Sequence, residues 1–233
     1  KATTVIAFEK KFFMVKVFLI NFDIDKQINK KFDYQSLFLI YSHHKKLLML
    51  TLNFTPFPIL ESERLHFRKL SNDDASEIFE LRSNPETMKY IPRPLVTNIN
   101  EALDHIKLIN DKIDSNTDIN WAVAEKDSNK CIGIMGFYRT QPENFRTELG
   151  YMILPAYHNK GYVTEAVKTL VTFAFNELNF HSIEAIILPD NVASERVLQK
   201  NGFVKEAHLV ENECYNGKFI DTVIYSLLKR NFN

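Results

Sequence analysis

The sequence predicts an α/β (α+β) domain of seven strands and four main helices, in the order β-α-α-β-β-β-α-β-α-β-β. Three observations lead there. All six glycines and all eight prolines lie at or beyond Pro56, so the turn chemistry that a packed domain needs begins only after about position 50. Past Ile59 the apolar pattern switches repeatedly between alternation and a spacing of three or four. Near the end, Asn216-Gly217 sits between two alternating stretches, a strong hairpin signal.

Leu60 to Leu70 alternates as a strand, and Ser71-Asn72-Asp73-Asp74 offers helix caps. Ala75–Ser83 reads as a short helix ending at Asn84-Pro85. Met88–Thr97, punctuated by Pro92 and Pro94, reads as a loop. Asn98-Ile99-Asn100 opens a second helix with Ala102, Ile106, Ile109 and Ile113 on one face. Strands follow at Asn120–Glu125, Cys131–Arg139 and Arg146–Leu154, separated by Asp127-Ser128-Asn129 and Gln141-Pro142. Val163, Ala166, Val167, Leu170 and Ala174 form the stripe of a third helix. The strand Ser182–Leu188 passes through Pro189-Asp190-Asn191 into a fourth helix, which stops at Asn201-Gly202. Val204–Cys214 and Phe219–Leu227 complete the set. Trp121 and the Phe173–Phe175 pair are expected in the core.

Composition bounds the class. The chain has 233 residues, 29 basic and 29 acidic, with 45% hydrophobic residues, values of an ordinary globular protein. Balanced charge argues against a dedicated nucleic-acid binder. No apolar run approaches the ~20 residues that span a bilayer, so no membrane association is expected. Two cysteines, Cys131 and Cys214, make no disulfide framework and fit a reducing, cytoplasmic setting. His43-His44 has no partner ligands at metal spacing, so no metal is expected.

The neutral total conceals two unlike parts. Residues 1–48 hold nine lysines against four acids, a net of +5, so the remainder carries −5. The same stretch has seven of the 19 phenylalanines and no Gly, Pro or Trp. Phe12–Ile20, interrupted by Lys16 and without a small-residue cleavage site, argues against a signal peptide. A basic amphipathic tether, a partner-binding extension and a non-native leader ahead of Met49 remain as readings, the last favoured. The division is therefore 1–48 as leader and 49–233 as the functional domain.

The most informative stretch is His158-Asn159-Lys160-Gly161-Tyr162-Val163-Thr164-Glu165-Ala166, a strand-to-helix loop turning at Gly161. Unpaired N–H groups and the positive end of a helix make such a turn an anion cradle, with Lys160 adding charge. A plain connecting turn would use the same residues. It lacks the second Gly and the Lys-Ser/Thr pair of a Walker loop.

This segment resembles the acyl-CoA pyrophosphate loop, Gln/Arg-x-x-Gly-x-Gly/Ala, of the GNAT acetyltransferases. More narrowly, Lys160–Ala166 resembles the Gly-Lys-Gly-Tyr-Ala-Thr-Glu-Ala of the ribosomal-protein N-terminal acetyltransferase-like branch (RimJ/RimL type). The similarity extends through Glu148-Leu149-Gly150-Tyr151, Asn191-x-x-Ser194, Lys200-Asn201-Gly202-Phe203, Asn216-Gly217 and Asp221 to Tyr225, roughly residues 55–230. His158 stands at the usual Gln/Arg position, and Val163 at the last Gly/Ala position. The resemblance implies a strongly bent, mixed but mostly antiparallel sheet, acetyl-CoA as donor, an amine as acceptor, and a monomer or homodimer. It places the donor on His158, Asn159, Lys160, Gly161, Tyr162, Val163, Thr164 and Asn191. It also implies backbone donors for the oxyanion at Met152, Ile153 and Leu154.

An amine attacks a thioester only when neutral, which calls for a base. Alternation over Arg146–Leu154 sets Leu149, Tyr151 and Ile153 toward the core and Glu148, Gly150 and Met152 on the other face. Glu148 is the candidate base; the competing reading is a carboxylate paired with Arg146 or with a lysine of a neighbouring strand. Seven residues after Asn191, where many relatives carry a tyrosine acid, stands Leu198. The resemblance offers Ser194 instead to position or protonate the sulfur. Helix capping is the alternative for both Asn191 and Ser194. Tyr90, Glu211, Glu213 and Tyr215 are expected to form an acidic, aromatic acceptor entrance. Three functions follow: acetylation of a protein N-terminus, acetylation of a small amine such as a polyamine, amino acid derivative or antibiotic, or non-catalytic acyl-CoA binding.

Overall fold

The computed structural model describes residues 49–232. The reading of residues 1–48, with His43-His44, lies outside the described residues. Among those described, strand β1 is Leu60–Glu61 and β2 is Leu65–Arg68. The expected single strand over Leu60–Leu70 is thus two, paired antiparallel with Leu60 opposite Phe67. The break has a local cause. The Ser62 amide donates to the Leu65 carbonyl (3.0 Å) and the Leu65 amide to the Ser62 hydroxyl (3.2 Å), closing a turn inside the alternating run. The sheet therefore has eight strands rather than seven.

Helix α1 (Ala75–Ser83) ends at Asn84, as its sequence predicts. Asn84 then starts a second, short helix, α2 (Pro85–Met88), because its side chain accepts from the Glu86 and Thr87 amides and Pro85 fills the first helical position. Helix α3 (Ile99–Asp114) buries Ala102, Ile106, Ile109 and Ile113 against α1 and β3 (Ile119–Glu125). Its cap is Asn98, whose side chain accepts from Asn100 (3.0 Å) and Glu101 (3.2 Å). Asn98→Ala should lower stability by about 1 kcal/mol, read as a denaturant midpoint shift at unchanged m-value.

The remaining elements are β4 (Cys131–Gln141), β5 (Arg146–Ile153), α4 (Tyr162–Asn176), β6 (Ser182–Ile187), α5 (Val192–Lys200), β7 (Val204–Tyr215) and β8 (Lys218–Leu228). Among the described residues the sheet order is β1-β2-β3-β4-β5-β6-β8-β7, with β5–β6 the one parallel pair. On one sheet face Trp121 packs edge-on against Phe137 of β4 and Phe173 of α4, with ring centroids 6.1 and 5.6 Å apart. Of the expected core aromatics Trp121 and Phe173 meet there, while Phe175, also buried, packs on Phe232; the Trp121 indole N–H is satisfied by the Pro58 carbonyl (2.7 Å). The other face lies under α1 and α3. Among the described residues no helix is long and apolar enough to cross a membrane.

Strands β5 and β6 pair only from Arg146–Ser182 to Glu148–Glu184. Beyond Glu148 they part. That fork, with α4 and α5 starting beside it, creates the opening that matters for function.

Candidate active site

A cleft of about 690 Å³ lies at the fork, the size of a cofactor site. Met152, Ile153, His158, Asn159, Gly161 to Thr164, Asn191 and Ser194 line it, together with Tyr90. Leu154 is buried behind the wall, and Lys160 stands exposed on the loop, its ammonium 5.4 Å from the Tyr157 ring.

The loop geometry follows from Gly161, which caps α4 in the left-handed region (φ 81°) that L side chains adopt at a cost. Among the described residues the amides of residues 159–164 have no protein acceptor; that of Glu165 closes the first helical turn on the Gly161 carbonyl (3.1 Å). Six successive free amides at a helix start offer a nest for an anion, the arrangement a pyrophosphate requires. Lys89, Arg196 and Lys200 line the same cleft and supply positive charge. The residues present therefore fit acetyl-CoA. His158 points its Nε2 at the Ile153 carbonyl (3.2 Å), so its ring braces the strand end. Val163 tolerates its branched side chain by packing half-buried against the core.

The loop is held from behind by Arg64. Its Nε donates to Glu165 (2.7 Å) and its Nη1 to the Lys160 carbonyl (3.0 Å), while the guanidinium lies 4.3 Å from the Tyr162 ring centre. Glu165 also accepts from the Ser62 hydroxyl (2.6 Å) and the Arg64 amide (2.8 Å). Burial alone would raise the Glu165 carboxyl, but these donors outweigh it and hold it below its ordinary value. Arg64→Ala should raise KM for acetyl-CoA roughly tenfold with little change in kcat, since it loosens the nest and leaves the reacting groups alone.

Glu148 stands at the last paired position of β5. Its side chain is 16% exposed and accepts from Arg139 Nη1 at 2.7 Å. The expected alternative partners are thereby replaced: Arg146 is taken by Glu184 (2.6 Å), and the neighbouring strand offers an arginine instead of a lysine. Burial pushes the Glu148 carboxyl up, Arg139 pulls it down, and the charges of Glu184 and Glu213 push it up again; the net direction is upward.

Of the nominated oxyanion donors, Leu154 is occupied, its amide donating to the Ile132 carbonyl (2.8 Å). Ile134 faces Met152 in the same antiparallel ladder, so alternation directs the Met152 amide to β4 as well. The Ile153 amide is the one turned to the open side of the fork.

Asn191 caps α5, its side chain accepting from the Ser194 amide (3.2 Å) while still lining the cleft. Ser194 offers its carbonyl to the Tyr151 hydroxyl (3.4 Å). Tyr151, expected in the core, packs half-buried against it and also lines the cleft, and burial pushes its phenol up to about 12. The expected acidic entrance is not one cluster. Tyr90 lines the cleft beside Lys89, whereas Glu211, Glu213 and Tyr215 lie on the edge strand β7, outside its lining. Of these, Glu213 alone is felt at Glu148.

Residues 64–204 match the family model described as "Acetyltransferase (GNAT) domain". The chain is 34% identical to the uncharacterized N-acetyltransferase YoaA of Bacillus subtilis over 173 residues, covering 74% of this chain and 98% of the relative. It is 26% identical to the spermidine N(1)-acetyltransferase of Vibrio cholerae, covering 69% and 90%. Among solved structures, a GNAT-family acetyltransferase from Bacillus anthracis superposes with a TM-score of 0.67 at 27% identity, covering 74% of this chain and 99% of the other.

Proposed function

This chain belongs to the GNAT acetyltransferase family, and from that premise we propose that it acetylates the α-amino group of a protein or peptide N-terminus, with Glu148 as general base. Acetyl transfer from acetyl-CoA to an amine is the family's reaction. Residues 49–233 form the catalytic domain in this reading, the RimJ/RimL type is its branch, and the cytoplasm is its setting.

The observation that carries the reading is Glu148 at the fork of β5 and β6, mostly buried yet held by Arg139. Even shifted upward by burial, a carboxylate is a far weaker base than an amine, which suits an acceptor that is already easy to deprotonate. An α-amino group titrates near ~8, a lysine-like amine near ~10.4, so the α-amino group asks less of it. The polyamine acceptor in the name of the Vibrio relative belongs to the second class.

Acetyl-CoA, when bound, supplies an activated acetyl thioester. The chain's own groups divide the remaining work. The amides of residues 159–164, with Lys89, Arg196 and Lys200, hold the phosphates. The open backbone edge of β5 past Glu148 would offer hydrogen bonds to the extended part of the donor. The Ile153 amide is the fixed donor for developing negative charge on oxygen. Glu148 takes the proton of the acceptor ammonium, directly or through one water. Tyr151 of β5, whose hydroxyl donates to the Ser194 carbonyl, and Ser194 at the start of α5 would position or protonate the leaving thiolate.

The test is release of CoA thiol from acetyl-CoA across N-terminal peptides and small amines. Turnover with peptides bearing a free α-amino group is the expected result. Tight CoA binding without turnover of any amine would leave only the non-catalytic reading.

A further inference from the structure

Beside Glu148 two glycines lower the sheet surface, and neighbouring side chains lie in the space they leave. Gly136 of β4 faces Gly150 of β5, Asn120 of β3 faces Gly136, and Tyr138 faces Glu148, all on the sheet face that α1 and α3 cover. A Cβ at Gly136 would come within 2.5 Å of Asn120 Oδ1 and 2.2 Å of the Ile119 carbonyl oxygen. One at Gly150 would come within 2.7 Å of the Tyr138 ring. The glycines thus seat Asn120 and Tyr138 on either side of one trough, with the candidate base at its end.

The polar groups around this trough lack partners. Among the described residues the Tyr138 hydroxyl makes no hydrogen bond. Arg82, near the end of α1, has no carboxylate and no acceptor for its guanidinium, and its Nε is buried. Both amide atoms of Asn120, 1% exposed, are also unpaired. Helix α1 packs on β4, which sets Arg82 over this face, and burial, with the charges of Arg82 and Lys112, pushes the His105 imidazole of α3 down to about 4. Burial holds the guanidinium itself below its ordinary value and raises the Tyr138 phenol, which stays a neutral donor. The buried Arg82 Nε and Asn120 amide are costly to leave unpaired, and with the accessible Tyr138 hydroxyl beside them they offer donors to a ligand oxygen next to the base.

We propose that Arg82 and Tyr138 bind the acyl oxygen on the carbon next to the acceptor's amine, so that the site selects α-aminoacyl acceptors over polyamines. The inference rests on Glu148 being the base, because it places the amine at the end of the trough. A forked guanidinium and a phenol suit a carbonyl or carboxylate oxygen, whereas a polyamine brings only further cations toward Arg82. Peptide N-termini and free amino acids share the required group. A site built to hydrogen-bond an oxygen rejects the analogue without it.

The experiment is steady-state kinetics of the full chain with a tripeptide amide, a free amino acid and spermidine as acceptors, for wild type, Arg82→Met, Arg82→Lys and Tyr138→Phe. The expected result is a rise in KM for the α-aminoacyl acceptors of about tenfold to a hundredfold in Arg82→Met at nearly constant kcat. Arg82→Lys should recover part of it and Tyr138→Phe should show a smaller rise, while spermidine turnover should be unmoved in those two variants and unmoved or improved in Arg82→Met, which removes the repelling cation. A larger loss for the free amino acid than for the tripeptide amide identifies a carboxylate as the natural group; the reverse identifies a peptide carbonyl. Thermal melts check folding, and if Arg82→Met melts early the comparison rests on Arg82→Lys and Tyr138→Phe. Spermidine as the preferred wild-type substrate, or equal losses for all acceptors, would overturn the proposal while leaving acetyl transfer with Glu148 intact. Absence of turnover with every amine would remove both.

Discussion

Glu148→Gln is expected to lower kcat for amine acetylation by about 10²- to 10⁴-fold, the usual contribution of a positioned general base, while KM for acetyl-CoA stays near its wild-type value. Glutamine preserves shape and one hydrogen-bond acceptor for Arg139, so the loss reports the proton-accepting oxygen. The pH profile gives a second signature. Burial raises the Glu148 carboxyl, and the Arg139 attraction that opposes this is weakened by solvent because Arg139 is 56% exposed. Glu184 and Glu213 add repulsion. In wild type kcat/KM should therefore rise with pH through a limb above the ordinary carboxylate range. That limb should vanish in Glu148→Gln and move to higher pH in Arg139→Met, which removes the lowering charge and keeps the raising ones. An unchanged rate and profile in Glu148→Gln would mean that another group takes the proton.

The parts of this site readable from sequence are those set by local geometry. Gly161 with its flanking residues announces a tight strand-to-helix turn, and the structure has the free amides such a turn implies. What the chain pattern hides is set by distant partners. Arg64 reaches Glu165 across about a hundred residues, and nothing in the spacing of either links them. Alternation put Tyr151 with Leu149 and Ile153, yet burial depends on where strand pairing stops. Past Glu148 the neighbour strand is gone, so Tyr151 faces the cleft. The edge strand β7 misled for a related reason. Register shifts between Leu209 and Glu213, with Glu211 in the left-handed region (φ 49°), turn the strand where its acids stand. Over Leu60–Leu70 the apolar rhythm continues through a turn closed by the Ser62 hydroxyl, so rhythm alone counts one strand where there are two.

Asp74→Ala is expected to be the most destabilising single change, about 3–5 kcal/mol, because it strands a mostly buried guanidinium. Asp74 is 4% exposed and Arg68 19%, and they meet through two bonds of 2.7 and 2.8 Å. The Asp74 carboxylate also accepts from the Ser71 amide (2.9 Å), tying β2 to the start of α1. Burial alone would raise this carboxyl, but Arg68 and Ser71 outweigh it and hold it below its ordinary value. A depressed folded pKa gives stability that is present above the unfolded value of about 3.9 and lost as pH falls through the folded one. Urea midpoints should therefore separate wild type from Asp74→Ala most at neutral pH and converge in acid. Arg68→Met combined with Asp74→Leu should recover much of the loss, since no charge is then left buried alone. The functional consequence follows from the helix: α1 begins beside Asp74 and ends beside Arg82. A chain with that anchor cut should lose affinity for the α-aminoacyl acceptor before it loses affinity for acetyl-CoA, whose cleft is held from the far end of β2 by Arg64. Equal loss of both would mean that the two halves of the site are not separately supported.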